Sequence, residues 1–569
     1  MKSRCRELRE QGEALFTRRL PLMSIWQDIA MNFYVERADF TTVRSIGSEF
    51  ASHLMTGVPA MARRDLGNQI SAMLRPRGKP WFHARTQFDE VNRDASAKQW
   101  LDEASEVQRL VMYDTHSGFT RATREADHDF AAFGQAVISV EPNKMLNGML
   151  FRCWHLRDVA WLEDENLIIN LVHRKYNMQA RNIVRMFKGK PEGAISQKVV
   201  DLLEKEPATE IKCHHIVMPD DEYDLSRAKN PKRHKFISIH IDVENDTILE
   251  EVPLKDLPYV IPRWQTVSGS QYAYSPATVI CISDARLLQD MTLTLLEAGQ
   301  KYVDPSLIAV GEKIIGGVNT AAGQITYVDA DYDERTGEVL RPLVGASGAG
   351  LNFGVNREKD IREIISEAFY LNQIQLPDTS GDKTAYEIQK RVEEYIRRAL
   401  PLFEPMETEY NGALCDKTFS GMLQLNMLGG VKNIPQILQG KEVRFVFESP
   451  LQAGANRANS QAFTQTAQLL QLAAQIDPMV VHDVDIDTAF RDAVEGTGAP
   501  SKWLRPEEQA TAIKDADKAA KAQQAQIQAA TQQLSQGADV AGKIGGAIQS
   551  FQSLNNPAQP GGQQASGTG

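Results

Sequence analysis

The chain has 569 residues, long enough for several domains around a sizeable core. It carries 63 Lys and Arg against 74 Asp and Glu, a formal charge of -11, which excludes a protein that grips DNA by broad phosphate neutralisation. The five cysteines, Cys5, Cys153, Cys213, Cys281 and Cys415, include no Cys-x-x-Cys pair, so neither a zinc ribbon nor a disulfide framework is indicated.

The N-terminus, MKSRCRELREQGEALFTRR, lacks the apolar core of a signal peptide, and no run of about 18 apolar residues follows anywhere. The chain reads as a soluble protein made in a reducing cytoplasm, with no membrane partner. Residues 1 to about 133 read as mostly helical. "PAMARRDLGNQISAMLRP" sets Met61, Leu66, Ile70, Met73 and Leu74 near a helical period and stops at Arg75-Pro76. "AKQWLDEASEVQRLVMY" repeats the pattern with Trp100, Val107, Leu110 and Val111. From about 134 to 265 the texture changes to short alternating runs rich in β-branched residues, such as "NLIINLVHRKY", "IKCHHIVMP" and "HKFISIHIDV", which predict strands.

Ser275 then offers an N-cap and Pro276 a first helical position, and no further proline occurs until Pro305. That predicts about 27 helical residues, roughly 40 Å long. Residues 303 to 353 turn glycine-rich and β-like. A second helix is expected in "NREKDIREIISEAFYLNQIQLPD", with Ile361, Ile364, Ile365, Ala368 and Phe369 as one stripe. After "PDTSGDKT" the pair Thr384 and Glu387 makes a capping box for the next helix, whose apolar face is Ile388, Val392, Tyr395, Ile396 and Ala399. "VRFVFESPL" reads as a strand and "NSQAFTQTAQLLQLAAQI" as another helix. The Ala/Gln-rich tail places Ile527, Ala530, Leu534, Gly537, Ala541, Ile544, Ile548 and Phe551 on a heptad seam. Such a seam packs against copies of itself or belongs to a frayed low-complexity tail, with disorder after Asn555.

The motifs that carry chemistry elsewhere are incomplete here. Gly381-Asp382-Lys383-Thr384 lacks the earlier glycine of a phosphate loop and puts an aspartate where phosphate would sit. Gly345, Gly348, Gly350 and Gly354 miss the dinucleotide spacing and read as flexible loop. Cys213, His214 and His215 are adjacent in an alternating strand and cannot converge on one metal. Asp483, Asp485 and Asp487 lack the glycine and terminal glutamate of a calcium loop and read as capping and surface charge. No catalytic residue, cofactor or metal is called, and the chain is not read as an enzyme.

Five stretches carry a resemblance: "RRDLGNQISAMLRPRGKPWF" (63–82), "YVIPRWQTVSGSQYAYSPA" (259–277), "DKTAYEIQKRVEE" (382–394), "IPQILQGKEVRFVFESPLQAGA" (434–455) and "VDIDTAFRDAVEGTGAPSKWLRPEEQ" (484–509). In this order they resemble the portal proteins, or head-to-tail connectors, of short-tailed bacteriophages. Tyr274 departs from the glycine often found there, and Tyr386 from a small residue. The resemblance implies an α+β, mainly helical portal fold. Residues 1–274 would be the wing, 275–302 and 354–376 the stem helices, 303–353 the clip and 377–383 a tunnel loop. A long wing helix and return strand would take 384–450, a crown 451–506, a barrel helix 507–555 and a disordered tail 556–569.

The same resemblance implies a dodecameric ring at one capsid vertex of the virion, assembled in the host cytoplasm. It would conduct double-stranded DNA and meet terminase, tail or adaptor proteins, and capsid and scaffolding proteins. The tunnel-loop residues Asp378, Thr379, Ser380, Gly381, Asp382 and Lys383 would face the DNA, with Lys383 either brushing phosphates or merely exposed. Asp329, Asp331, Asp333, Glu334 and Glu338 are either a solvated hairpin or a docking surface for basic partner segments. The competing readings are a non-conducting capsid or tail adaptor and a DNA-packaging ATPase.

Overall fold

The computed structural model describes residues 4–45, 47–76, 80–190, 194–224, 234–303, 307–309, 314–318, 325, 327–329, 340–342, 348–371, 406–430, 433–447, 463–473, 475, 485–496 and 510–526. The N-terminal part comprises α1 (Arg4–Arg18), α2 (Leu20–Phe33), α3 (Val58–Leu74), β1 (Phe82–Thr86), α4 (Asp89–Arg93), α5 (Ala95–Met112) and α6 (Phe119–Phe133). Helix α3 stops at Arg75, as the following proline dictates. Asp94 caps α5, its carboxylate accepting the Ala97 N–H at 2.8 Å. Gly118 and Gly134 bound α6, both in the left-handed region with φ of 70° and 72°.

Two helix faces differ from the pattern read in the sequence. In α5 the buried residues are Ala97, Leu101, Ala104, Ser105, Gln108 and Met112, and Leu110 is exposed. The small alanines allow close approach, and Gln108 is held inside by donating to the Cys415 carbonyl at 2.8 Å. In α3 Met61 is exposed, whereas Arg63 is buried with its guanidinium 3.9 Å over the Tyr34 ring. Strand β1, inside a stretch expected to be helical, pairs antiparallel with a strand more than three hundred residues later, Phe82 opposite Phe447.

Between α6 and the next long helix lie β2 (Val137–Pro142), β3 (Met149–Trp154), β4 (Val159–Glu163), β5 (Ile169–Gln179), α7 (Ala180–Phe187), α8 (Gln197–Lys205), β6 (Glu210–Pro219), α9 (Asp220–Tyr223), β7 (Phe236–Asp242), β8 (Thr247–Leu254), β9 (Tyr259–Val260), β10 (Gln265–Thr266) and β11 (Ala273–Tyr274). One sheet runs β3-β2-β9 and a larger antiparallel one β4-β5-β6-β7-β8. The larger sheet is covered on both faces. Cys5 and Leu8 of α1 pack on Leu171, Ile216, Ile239 and Ile241, while Ile183 and Phe187 of α7 and Val199 of α8 pack on Cys213 and Leu249. Covering on both sides explains why β6 is buried almost throughout rather than on alternate residues.

Cys213, His214 and His215 split between those faces as alternation requires. His214 lies against Phe16 of α1, with ring centroids 6.3 Å apart, and His215 stacks on His240 of β7 at 4.2 Å and 4°. The His215 ring nitrogens lie 2.6 Å from the Tyr259 hydroxyl and 2.8 Å from Ser238 Oγ. Burial, reinforced by neighbouring cations, lowers these groups: His173 and His240 to about 3, His214 to about 4, and His215 well below its ordinary value.

After β11 come α10 (Pro276–Val303), β12 (Leu307–Ala309), β13 (Ile314–Ile315), β14 (Tyr327–Val328), β15 (Leu340–Pro342) and α11 (Gly348–Ala368). A π-helical segment, Met406–Gly412, leads into α12 (Ala413–Gln424), and β16 (Val443–Phe447) returns to pair with β1. The main core gathers α2, α3, α6, the small sheet, the near ends of α10 and α11, and α12. Through it runs a buried polar network. The Arg75 guanidinium pairs with Asp127 of α6, donates to Asn411 Oδ1 at 2.7 Å and lies 4.7 Å from the Tyr410 ring centroid. Tyr410 donates to Asp127 Oδ1 at 2.9 Å. Burial alone would lower the Arg75 pKa, but Asp127 and Tyr410 outweigh it and hold the guanidinium above its ordinary value.

The chain divides into two compact units, Met1–Ala458 and Asn459–Gly569. In the second, residues 463–473 and 510–526 are helical, as is α13 (Ile486–Gly496). Asp485 caps α13, with its Oδ2 accepting from the Thr488 hydroxyl at 2.6 Å. The capping box at Thr384 and Glu387 and the heptad seam from Ile527 lie outside the described residues.

Two outcomes follow. Arg75→Met leaves Asp127 buried without its cation and is expected to cost about 3–5 kcal/mol in urea unfolding, while Arg75→Met/Asp127→Leu recovers most of that. A double variant no more stable than the single one would show that the pair is not the coupled unit. For the histidines, the folded pKa lies below the unfolded value of about 6.5. The unfolded state therefore binds more protons, and stability present above pH 6.5 is lost as pH falls toward the folded values. The unfolding midpoint should drop steeply from pH 6.5 to 4.5; a flat profile would contradict buried neutral rings.

Candidate functional site

Helix α10 begins inside the core and ends outside it. Ala277, Thr278, Cys281, Ala285 and Leu288 are buried, and from residue 289 to Val303 no residue is. At 1.5 Å per residue, this outer half projects by about 22 Å. Its root is fixed to the end of α6. Ser275 Oγ donates to the Ala131 carbonyl at 2.7 Å and Thr278 Oγ1 to the Ala132 carbonyl at 2.8 Å, satisfying carbonyls that α6 leaves open. Ser275 does precede the helix as its sequence suggests, but its hydroxyl serves the neighbouring helix. Gly134 makes this junction possible, because a Cβ there would collide with the Tyr274 carbonyl and Ser275 nitrogen.

A second clamp holds the helix near the edge of the core. Gln289 Oε1 accepts from the Met55 and Thr56 backbone at 2.7 and 2.9 Å, and its Nε2 donates to the Thr56 carbonyl at 2.9 Å. Arg286 adds an ion pair with Asp28 at 3.0 Å, exposed and therefore weak.

Helix α11 returns alongside α10. The stretch containing Gly348, Gly350 and Gly354, read as flexible loop from its glycines, is helical. Packing overrides propensity there: Gly354 faces α10 so closely that a Cβ would lie 2.5 Å from Leu295 Cδ2. Thr292 Oγ1 donates to Glu358 Oε1 at 3.1 Å across the hairpin, and Glu358 also accepts from Arg362 at 2.6 Å. Ile361, Ile365 and Phe369 seat the near end in the core, while Ile364, expected on the same stripe, is exposed. Between the far ends of the helices, β12 pairs with β15 and β13 with β14, each antiparallel, as nested ladders.

The outer half keeps a large exposed apolar surface. Leu293, Leu296, Tyr302 and Val303 are exposed on α10, and Phe353 and Val355 on α11, with Phe353 74% exposed. The sequence reading did not single these out as functional. The available signal was a long helix apolar around more than one sector, which a single packing partner cannot cover.

The residues named from the sequence are placed as follows. Asp378, Thr379, Ser380, Gly381, Asp382 and Lys383 lie outside the described residues, as do Asp331, Asp333, Glu334 and Glu338. Asp329 is exposed just after β14. Among the described residues no three His, Cys, Asp or Glu side chains form a metal site, and no helix is long and apolar enough to cross a membrane.

The comparisons with known proteins agree with one another. The chain is 25% identical over 549 residues, 93% of each chain, to a protein of Bordetella phage BPP-1 named "Probable portal protein". It is 22% identical over 486 residues, 84% of each chain, to the "Portal protein" of Salmonella phage epsilon15. The family described as "Bacteriophage head to tail connecting protein" matches residues 6–504. A core that roots a projecting helical hairpin with uncovered apolar sides is thus joined to a match over most of the chain, and the chain belongs to the bacteriophage head to tail connecting proteins, with a structural, portal function.

Proposed function

We propose that the chain forms a dodecameric ring at a unique capsid vertex, enclosing a channel for double-stranded DNA. The observation that carries the reading is the apolar surface left exposed on the outer half of α10 and α11. Two helices side by side cannot bury such surface alone, and repeated copies arranged around an axis can. The net charge of -11 suits a conduit, because each neutralised phosphate would add affinity and slow passage.

On this reading α10 and α11 are the stem and the strands between them the clip. Asp329, Asp331, Asp333, Glu334 and Glu338 would offer a charged docking surface to terminase during packaging and to tail or adaptor proteins afterwards. Residues Asp378 to Lys383 would form a tunnel loop facing the DNA, and the wing would meet capsid and scaffolding proteins. An adaptor that does not conduct DNA would share the exposed apolar surface but not an open axial hole.

Electron microscopy of the purified chain should show closed rings with twelvefold symmetry and a central hole wide enough for a duplex. Solid discs, filaments or monomers would argue against the reading. Deleting residues 377–383 is expected to leave rings intact by light scattering but to reduce the yield of particles with full-length DNA in a packaging assay. Normal yield from the deletion variant would remove the channel role assigned to that loop.

A further inference from the structure

Helical periodicity sorts the exposed surface of the α10 and α11 hairpin into two opposite flanks. At about 100° per residue, Leu287, Met291, Thr294 and Ala298 share a sector roughly 60° wide. With Gly350 and Gly354 of α11 they line a groove of about 500 Å³. Leu293 and Leu296, both exposed, stand about half a turn away and form a ridge on the other flank.

Helix α11 carries charged side chains on both flanks. Phe353 is three residues on from Gly350, on the same flank as the groove, and Asp360, Ile364 and Glu367 share its sector. Arg357 stands there too, a loose 3.9 Å from Asp360, so the net sign of this edge is negative. On the opposite side are Val355, Lys359 and Arg362. Lys359 is 3.9 Å from Glu363 and Arg362 is paired to Glu358, so each cation already has a carboxylate on its own helix, with the Lys359 side chain 76% and the Arg362 side chain 48% exposed.

We infer that the groove of one copy receives Leu293 and Leu296 of the neighbouring copy, with Asp360 and Glu367 facing the neighbour's Lys359 and Arg362. The groove and the ridge lie on opposite flanks of one hairpin and cannot meet within a chain. A contact between unlike flanks is heterologous and closes into a ring when its rotation divides the circle. The inference rests on the ring reading above and adds which surfaces meet and in which sense.

The test uses the full chain, whose own cysteines are buried or partly buried. Leu296→Cys is combined in turn with Leu287→Cys, Thr294→Cys or Ala298→Cys and oxidised mildly. A ladder of covalent multimers from at least one pair is expected, and none from Leu296→Cys alone. In parallel, Lys359→Glu/Arg362→Glu should lower ring yield severalfold, and adding Asp360→Lys/Glu367→Lys should restore it. Intact rings with no ladder from any pair, or covalent dimers from Leu296→Cys alone, would overturn this pairing while leaving the ring. An unsubstituted chain that stays monomeric would overturn both.

Discussion

Asp127 lies in the middle of α6, fully buried, and no element next to it in sequence can neutralise it. The cation comes from Arg75, the residue that ends α3; in the π-helical segment Tyr410 donates to Asp127, and Asn411 accepts from Arg75. An unpaired buried carboxylate is too costly to leave, so satisfying this one fixes α3, α6 and the segment before α12 against one another. A second carboxylate on the same helix, Asp129, is met by Arg37 at 3.1 Å. Helix α6 is thus held by ion pairs on two nearly opposite faces and by aromatic packing, where Phe130 stacks on Trp264 at 5.3 Å.

What α6 supports is the root of the projecting hairpin. Its last carbonyls take the hydroxyls of Ser275 and Thr278, so the direction in which α10 leaves the core follows from where α6 ends. Gly134 lets the two backbones touch, and Gln289 grips the Met55 to Thr56 backbone where the helix reaches the edge. Beyond that edge α10 has only α11 for company among the described residues, and the apolar flanks on either side of the pair are surface that a single copy leaves wet. The hairpin thus combines a firm root with an outer half whose apolar flanks stay exposed in a single copy.

Much of this was legible beforehand. Proline placement gave the end of α3 and, with Ser275, the bounds of α10, because proline restricts both its own position and the residue before it. Alternation gave the β-rich region with β5, β6 and β7, though not the helices α7 and α8 between β5 and β6, and it gave the split of Cys213, His214 and His215 between faces. The misreadings share a cause. Leu110 and Met61 were counted as core by hydrophobicity, yet Ala97, Ala104 and Arg63 occupy the interior, since small size and a buried partner decided those places. The glycines of α11 read as a loop by propensity, and close contact with Leu295 makes helix the better use of them.

By itself, the sequence determined most element types, the long helix, the absence of a complete catalytic or phosphate-binding motif and, through five ordered motifs, the family. Those properties depend on local periodicity and on residues near one another in the chain. Only the tertiary structure decided that β1 pairs with β16, that Arg75 and Asp127 neutralise each other, and that the apolar residues of α10 divide between a core half and an exposed outer half. Those depend on which distant segments come together, and a pattern of hydrophobicity along one helix is the same whether its partner is its own core or another copy.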